Sequence, residues 1–232
     1  MKNNRLFIII SAIALIIVVI IGANVKPKTV EYKEDLLGIN YEIKENETDL
    51  KYENENPVVA MYIEKYGSIV MELYPEVAPN TVNNFISLVE NSFYDNNTFH
   101  RLVKGFVLQG GDPDGNGSGG PGYSIPGEFS ENDFENNLSH TKGVISMARA
   151  TAPDTAGSQF FICLEDDAKY SLDGKYAAFG KVIDGWDNIE RIVNKERVAD
   201  QESGKLSKNL TIKKALVDLN GYEIQEVKKV DA

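Results

Sequence analysis

One arginine in an otherwise apolar stretch is the residue of this chain best placed to do chemistry. Arg101 lies in Phe99–Gly111, Phe-His-Arg-Leu-Val-Lys-Gly-Phe-Val-Leu-Gln-Gly-Gly. Aromatic and β-branched residues on either side of Lys104-Gly105 predict a strand, a turn or bulge, and a second strand. Strict alternation puts Phe99, Arg101 and Val103 on one face, with His100 and Leu102 on the other. A guanidinium keeps its proton, because its pKa lies above ~12. It therefore either snorkels to water or stands as a fixed donor at the edge of an apolar pocket.

The other reactive residue types are few. The chain has one cysteine and two histidines, which excludes an internal disulfide and a thiolate cluster and argues against a histidine zinc site. Cys163 sits in the apolar run Phe160–Leu164, where a small buried thiol is the expected role. No Gly-x-Ser-x-Gly occurs, and neither His100 nor His140 accompanies a recognisable nucleophile. The glycine-rich loop Gly110–Gly122 carries Asp112, Asp114, Asn116 and Gly117 in the order that opens a calcium-binding EF-hand. However, Tyr123 stands where a bidentate Glu is needed. The loop also lacks the lysine of a phosphate-cradling P-loop. Its glycines instead permit a tight path beside a site. A net charge of -11 argues against a nucleic-acid partner.

The elements that must position these residues follow from patterning. After residues 1–5, with Lys2 and Arg5, the run Leu6–Ala23 spans eighteen residues with no charge. As a helix it is about 27 Å long, close to a hydrocarbon core of ~30 Å. It is too long for a typical leader, and Ile21-Gly22-Ala23 is a poor cleavage site. The expectation is a single-pass membrane anchor at residues 6–23 with the domain outside the cytoplasm; secretion after leader cleavage is the alternative. Residues 24–56 are expected to be an acidic linker, with nine acidic residues against three lysines between Val30 and Asn56. The folded domain is expected to be 57–232.

Within that domain, short β-rich runs are expected at Val58–Ile63, Ser68–Tyr74, Val144–Ala148, Gln159–Leu164, Ala177–Ile183 and Leu210–Leu219. They join the two runs around Arg101. Val82, Phe85, Ile86 and Val89 repeat at helical spacing after Pro79, and a second short helix is expected at Trp186–Val193. Many short strands with few helices describe an all-β barrel or sandwich.

Five blocks carry a resemblance. They are Phe99-His100-Arg101, Gly105–Asp112, Gly157–Ile162, Leu172–Lys175 and Phe179–Val182, in order and at nearly fixed spacing. In these the chain resembles the cyclophilin family of peptidyl-prolyl cis-trans isomerases, over roughly Val58–Leu219, and its loop form resembles the bacterial branch. The resemblance implies a closed eight-stranded antiparallel β-barrel capped by two α-helices, here preceded by a transmembrane helix and linker. It implies that Arg101 is catalytic and that Gln109 binds the substrate amide. It also implies a proline pocket of Phe106, Val107, Phe161 and Leu172, and a substrate groove with Gln159, Ala148 and Arg149. Tyr176 stands where a histidine is usual and still offers an aromatic wall and a donor. Ser171 replaces a tryptophan, so cyclosporin binding is expected to be weakened. Thr151–Ala156 is about one residue longer than the common form.

Such chemistry needs no nucleophile, metal or cofactor. Twisting a peptide bond meets ~18–20 kcal/mol, whereas the two isomers at X-Pro lie within about 1 kcal/mol. The expected function is therefore catalysed rotation about X-Pro bonds of unfolded or exported polypeptides. The alternatives are a module that binds proline peptides without turning them over, or an anchored scaffold.

Overall fold

The β-rich runs become nine antiparallel strands in a computed structural model, which describes residues 54–230. They are β1 (Val58–Ile63), β2 (Gly67–Leu73), β3 (Thr98–Val103), β4 (Val107–Asp112), β5 (Val144–Met147), β6 (Phe160–Cys163), β7 (Ala178–Asp184), β8 (Val198–Asp200) and β9 (Lys205–Asp218). Their order is β1-β2-β7-β5-β6-β4-β3-β9, and β9 pairs back onto β1, so eight strands form a closed barrel. The three-residue β8 hangs outside the ring on β9. β9 closes the barrel by serving two neighbours. Its first part faces β3, with Thr211 opposite Thr98, and its last residues face β1, with Asp218 opposite Val58.

Two helices cap the barrel, as the resemblance implies. In α1 (Pro79–Glu90) the periodic stripe Val82, Phe85, Ile86 and Val89 is buried. Its start has no cap of its own. Glu128 supplies one from a distant loop, accepting the backbone N–H groups of Asn80 and Thr81 at 3.0 and 2.8 Å. A carboxylate there satisfies orphan donors and meets the positive end of the helix dipole. α2 (Trp186–Lys195) buries Ile189 and Ile192. A single helical turn also forms at Lys169–Leu172.

Phe85 of α1 reaches into the barrel and meets Phe160 and Phe179 at ring separations of 5.3 and 5.0 Å; Phe99 meets Phe160 at 5.6 Å. With Leu102, Leu108, Ile145 and Ile162 these rings fill the interior. The barrel is a packed core, so a ligand must bind on its outside.

One expectation is corrected here. Phe99 and Leu102 both belong to the interior core, which strict alternation forbids. The pairing of β3 with β4 slips between Phe99 and Arg101, so the strand bulges at His100 and the pleat resumes in the opposite phase. Arg101 consequently leaves the face it was expected to share with Phe99. The β8 segment and the first half of β9 went unanticipated, because they alternate weakly and are mostly exposed.

Among the described residues no helix is long and apolar enough to cross a membrane. The expected anchor at 6–23, residues 1–5 and most of the expected linker lie outside the described residues.

Candidate active site

The turn at Lys104-Gly105 folds β3 and β4 into a hairpin, closed by the Phe106 N–H donating to Val103 O at 2.9 Å. Gly105 takes a φ of +75°, which a residue with a Cβ rarely adopts. The hairpin sets Arg101 directly opposite Gln109. The next strands continue the row, with Gln109 opposite Phe161 and Phe161 opposite Ser146. Since Leu108, Phe160 and Ile162 face the interior, this row steps across β3, β4, β6 and β5 on the outer wall.

Hydrogen bonds run along the row with a fixed direction. Arg101 Nε donates to Ser203 O at 2.7 Å, and Nη1 donates to Gln109 Oε1 at 3.1 Å. Gln109 Nε2 donates to Gln159 Oε1 at 3.0 Å; Gln159 Nε2 donates to the carbonyls of Gly117 and Gly119 at 3.0 and 2.9 Å. A guanidinium can only donate and a backbone carbonyl can only accept, so both amides are oriented by the ends of the relay. Arg101 Nη2 donates to no atom of the described residues. Burial lowers the Arg101 pKa, opposed by Tyr176, and the group stays a cation.

Beside this relay lies a second apolar cluster, separate from the barrel core. Val107, Phe161 and Leu172 are buried in it, with Phe106, Tyr176 and Ala148 partly exposed around them. Tyr176 meets Phe161 edge to face at 5.7 Å. On the other side of Gln109 a groove of about 450 Å³ is lined by Gln109, Ala148, Arg149, Gln159 and the Gly117–Ser124 segment. Arg149 is held at its lip. Its Nε donates to Lys175 O and its Nη1 to Ala150 O and Thr151 O, each at 2.9 Å, while its guanidinium carbon lies 5.0 and 4.8 Å from the ring centres of Phe129 and Tyr176. All ten residues implied by the resemblance thus share one outer face, and Ala148 belongs to both the cluster and the groove.

The glycine-rich loop is clasped from below. Asp112 is 1% exposed and accepts the N–H groups of Asp114, Asn116 and Gly117. Burial pushes its carboxyl up, but those donors outweigh it and hold the pKa below the usual range. Gly111 has a φ of +86°, and a Cβ there would lie 2.4 Å from Ser158 O. That close approach lets Ser158 Oγ donate to Gly111 O at 2.7 Å, which fixes the start of the Gln159 segment. From α1, Asn84 holds the same segment through Gly157 O at 2.8 Å.

Two contributors to this site carried no sequence signal that composition or spacing could reveal. Ser203 acts through a backbone carbonyl in the β8–β9 turn, which no side-chain type announces. His140 stands behind Phe161 with rings 6.1 Å apart and near parallel. Its Nδ1 lies 2.8 Å from Asp173 Oδ1 and its Nε2 2.9 Å from Ser146 Oγ. Burial lowers its pKa against the pull of Asp173, so the neutral ring donates from Nδ1 and accepts the Ser146 hydroxyl. Phe161 is thereby backed by a fully hydrogen-bonded imidazole.

A family model described as cyclophilin type peptidyl-prolyl cis-trans isomerase/CLD matches residues 58–217. Peptidyl-prolyl cis-trans isomerase B of Bacillus subtilis is 46% identical over 132 residues, covering 57% of this chain and 87% of that protein. A peptidyl-prolyl cis-trans isomerase of Synechococcus elongatus is 43% identical over 142 residues, covering 58% of this chain and 92% of that protein. Among solved structures, a cyclophilin-type isomerase of Cryptosporidium parvum, crystallised in the presence of the dipeptide Ala-Pro, superposes with a TM-score of 0.60. It is 33% identical, and the match covers 69% of this chain and 98% of that one.

Proposed function

The chain belongs to the cyclophilin-type peptidyl-prolyl cis-trans isomerase family and is an enzyme of that class, and on that premise we propose how its residues divide the work. Phe106, Val107, Phe161 and Leu172, with Tyr176 as a side wall, hold the pyrrolidine ring by burial while the acyl side turns. Gln109 offers its remaining amide hydrogen to the moving carbonyl. Arg101 donates from Nη2 to the prolyl nitrogen as it becomes pyramidal and regains its lone pair. That bond is available mainly in the twisted state, so it lowers the barrier without favouring either planar isomer. Ala148, Arg149 and Gln159 receive the backbone of the residues before the proline.

The observation that carries this reading is the fixing of Arg101. Ser203 O and Gln109 Oε1 hold two of its donors, and the Nη2 edge is left for a substrate. Preorganised donors aimed at developing charge commonly account for roughly 10²–10³ in rate. Exchange spectroscopy on a proline tetrapeptide, with the full-length wild type and Arg101→Ala, tests it. The variant should lose roughly that factor in kcat/KM with its thermal midpoint little changed. Equal rates would overturn the catalytic assignment and leave a module that only binds proline peptides.

The clients we propose are unfolded or exported polypeptides met outside the cytoplasm, with residues 6–23 as a single-pass anchor. The uncharged run Leu6–Ala23 and the acidic stretch after it support this placement. The full-length chain should sediment with membranes, and protease added to intact cells should digest the domain. Protection of the domain until lysis would refute the orientation.

A further inference from the structure

The family match ends at residue 217, yet the chain continues as an ordered strap. Leu219, Tyr222, Ile224 and Val227 pack against the main core, and the intervening residues face water. The strap is stitched along α1. Gln225 N donates to Asn83 Oδ1 at 2.8 Å and Lys228 N to Asn80 Oδ1 at 2.7 Å, while Asn80 Nδ2 donates to Lys228 O at 3.1 Å. It ends in a two-way backbone bridge between Val230 and Ser124, whose N–H groups donate at 2.8 and 3.2 Å. Ser124 and Tyr123 line the groove beside Gln109. The bridge places Lys229 Nζ 4.0 Å from the centre of the Tyr123 ring.

In a strongly acidic protein the groove thus has one cation in its lining, Arg149, and a second, Lys229, over the ring of its lining residue Tyr123. Among the described residues neither forms an ion pair. The lining itself contains no acidic residue. Two carboxylates lie under Gly119: Asp112, whose oxygens take three loop N–H groups, and the exposed Asp114. Asp154, next to the lining residue Thr155, accepts Gly127 N–H and the Asn132 amide, and in the sequence Asp231 follows two residues after Lys229. Exposed Glu223 and Glu226 sit further back along the strap. A cation over an aromatic face keeps its charge available to a second partner on its open side.

We propose that the strap Tyr222–Val230 is a specificity element, and that Lys229 with Arg149 selects polypeptides carrying Asp or Glu in the residues before an X-Pro bond. The direction follows from the functional reading above, on which the inference rests. The proline ring occupies the apolar cluster, Gln109 holds the carbonyl on the acyl side, and the groove beyond Gln109 takes the residues that precede it.

The test compares acetyl-Glu-Glu-Ala-Pro-Phe-amide with its Gln-Gln counterpart, using the full-length chain and exchange spectroscopy. The readout is the ratio of the two kcat/KM values, which does not change with the fraction of folded enzyme. In wild type at low ionic strength the ratio should favour the acidic peptide about threefold, the scale of an exposed ion pair, and should fall toward one in ~1 M salt. Lys229→Arg should keep the ratio and Lys229→Glu should invert it. Lys65→Glu, which makes the same change in net charge on the distant β1–β2 turn, should leave it as in wild type. A wild-type ratio of one or below, or equal ratios in wild type and Lys229→Glu, overturns the inference while turnover of the Gln peptide keeps the isomerase reading. Failure to turn over either peptide overturns both.

Discussion

Phe160 and Phe161 are neighbours in β6, and the pleat sends them to opposite sides of one barrel wall. Phe160 is 0% exposed among Phe85, Tyr94 and Phe99, in a core that closes over it completely. Phe161 is nearly as buried, yet its neighbours are Val107, Leu172, Tyr176 and the hydrogen-bonded ring of His140. Burial alone does not distinguish them. The inner ring is held by shape, whereas the outer one belongs to a cluster bordered by a fixed cation with an unspent donor. On the proposed reading, stability and activity are divided between two faces of the same strands.

The largest effect that sharpens this division is expected at Phe160. Phe160→Ala should cost about 3–5 kcal/mol in denaturant unfolding, with kcat/KM per folded molecule near wild type. Phe161→Ala should cost less stability, because its site opens to solvent, and should raise KM for proline peptides. Equal stability losses with no change in KM would erase the distinction.

A smaller effect separates members of the outer row. Gln109→Leu removes the acceptor of Arg101 Nη1 and the amide offered to substrate. It should lower kcat/KM by about tenfold or more, the scale of hydrogen bonds to a charged group. Gln159→Leu leaves Arg101 paired and removes the loop end of the relay with one contact to the substrate backbone. Its loss should be several-fold smaller, and the reverse ranking would show that the loop, not the cation, governs turnover.

How much of this was legible in the sequence depends on what each feature is made of. Most strands announce themselves as short β-rich runs between turn residues and α1 by its stripe, whereas β8 and the first half of β9, mostly exposed, do not. The site residues are legible through side-chain types held at family spacing. What was hidden is backbone. The bulge at His100 reverses the phase of β3, and no local pattern marks it, because Phe99 and Leu102 are apolar in either phase. Ser203 contributes only a carbonyl. Within the expected domain the strap carries no element signal, because what holds it is backbone bonding to Asn80 and Asn83.

The smallest predicted effect extends the comparison to polar groups. His140 has a partner at each ring nitrogen, whereas neither nitrogen of the buried His100 has one in the described structure. Burial lowers both pKa values; at His100 Asp112 opposes the shift and Arg101 adds to it. The unfolded chain therefore takes up protons first as pH drops below about 6.5. The stability tied to the neutral rings is complete above that pH and is lost as pH falls toward the lowered folded values. Each ring contributes a slope of up to about 1.4 kcal/mol per pH unit. Unfolding free energies between pH 7 and 5 should decline in wild type and decline less steeply in His100→Gln, where His140 remains. A slope unchanged by that substitution would remove His100 from the account.

The seam between β1 and β9 has a consequence for biogenesis. Pairing Val58 with Asp218 joins the first and last strands of the domain, so ring closure waits until residue 218 has left the ribosome. Arg101 meets Ser203 through that same late segment. Nascent chains cut before the β8–β9 turn have no closed ring and lack the Ser203 carbonyl that clamps the guanidinium, so barrel and clamp both wait for this late segment to emerge.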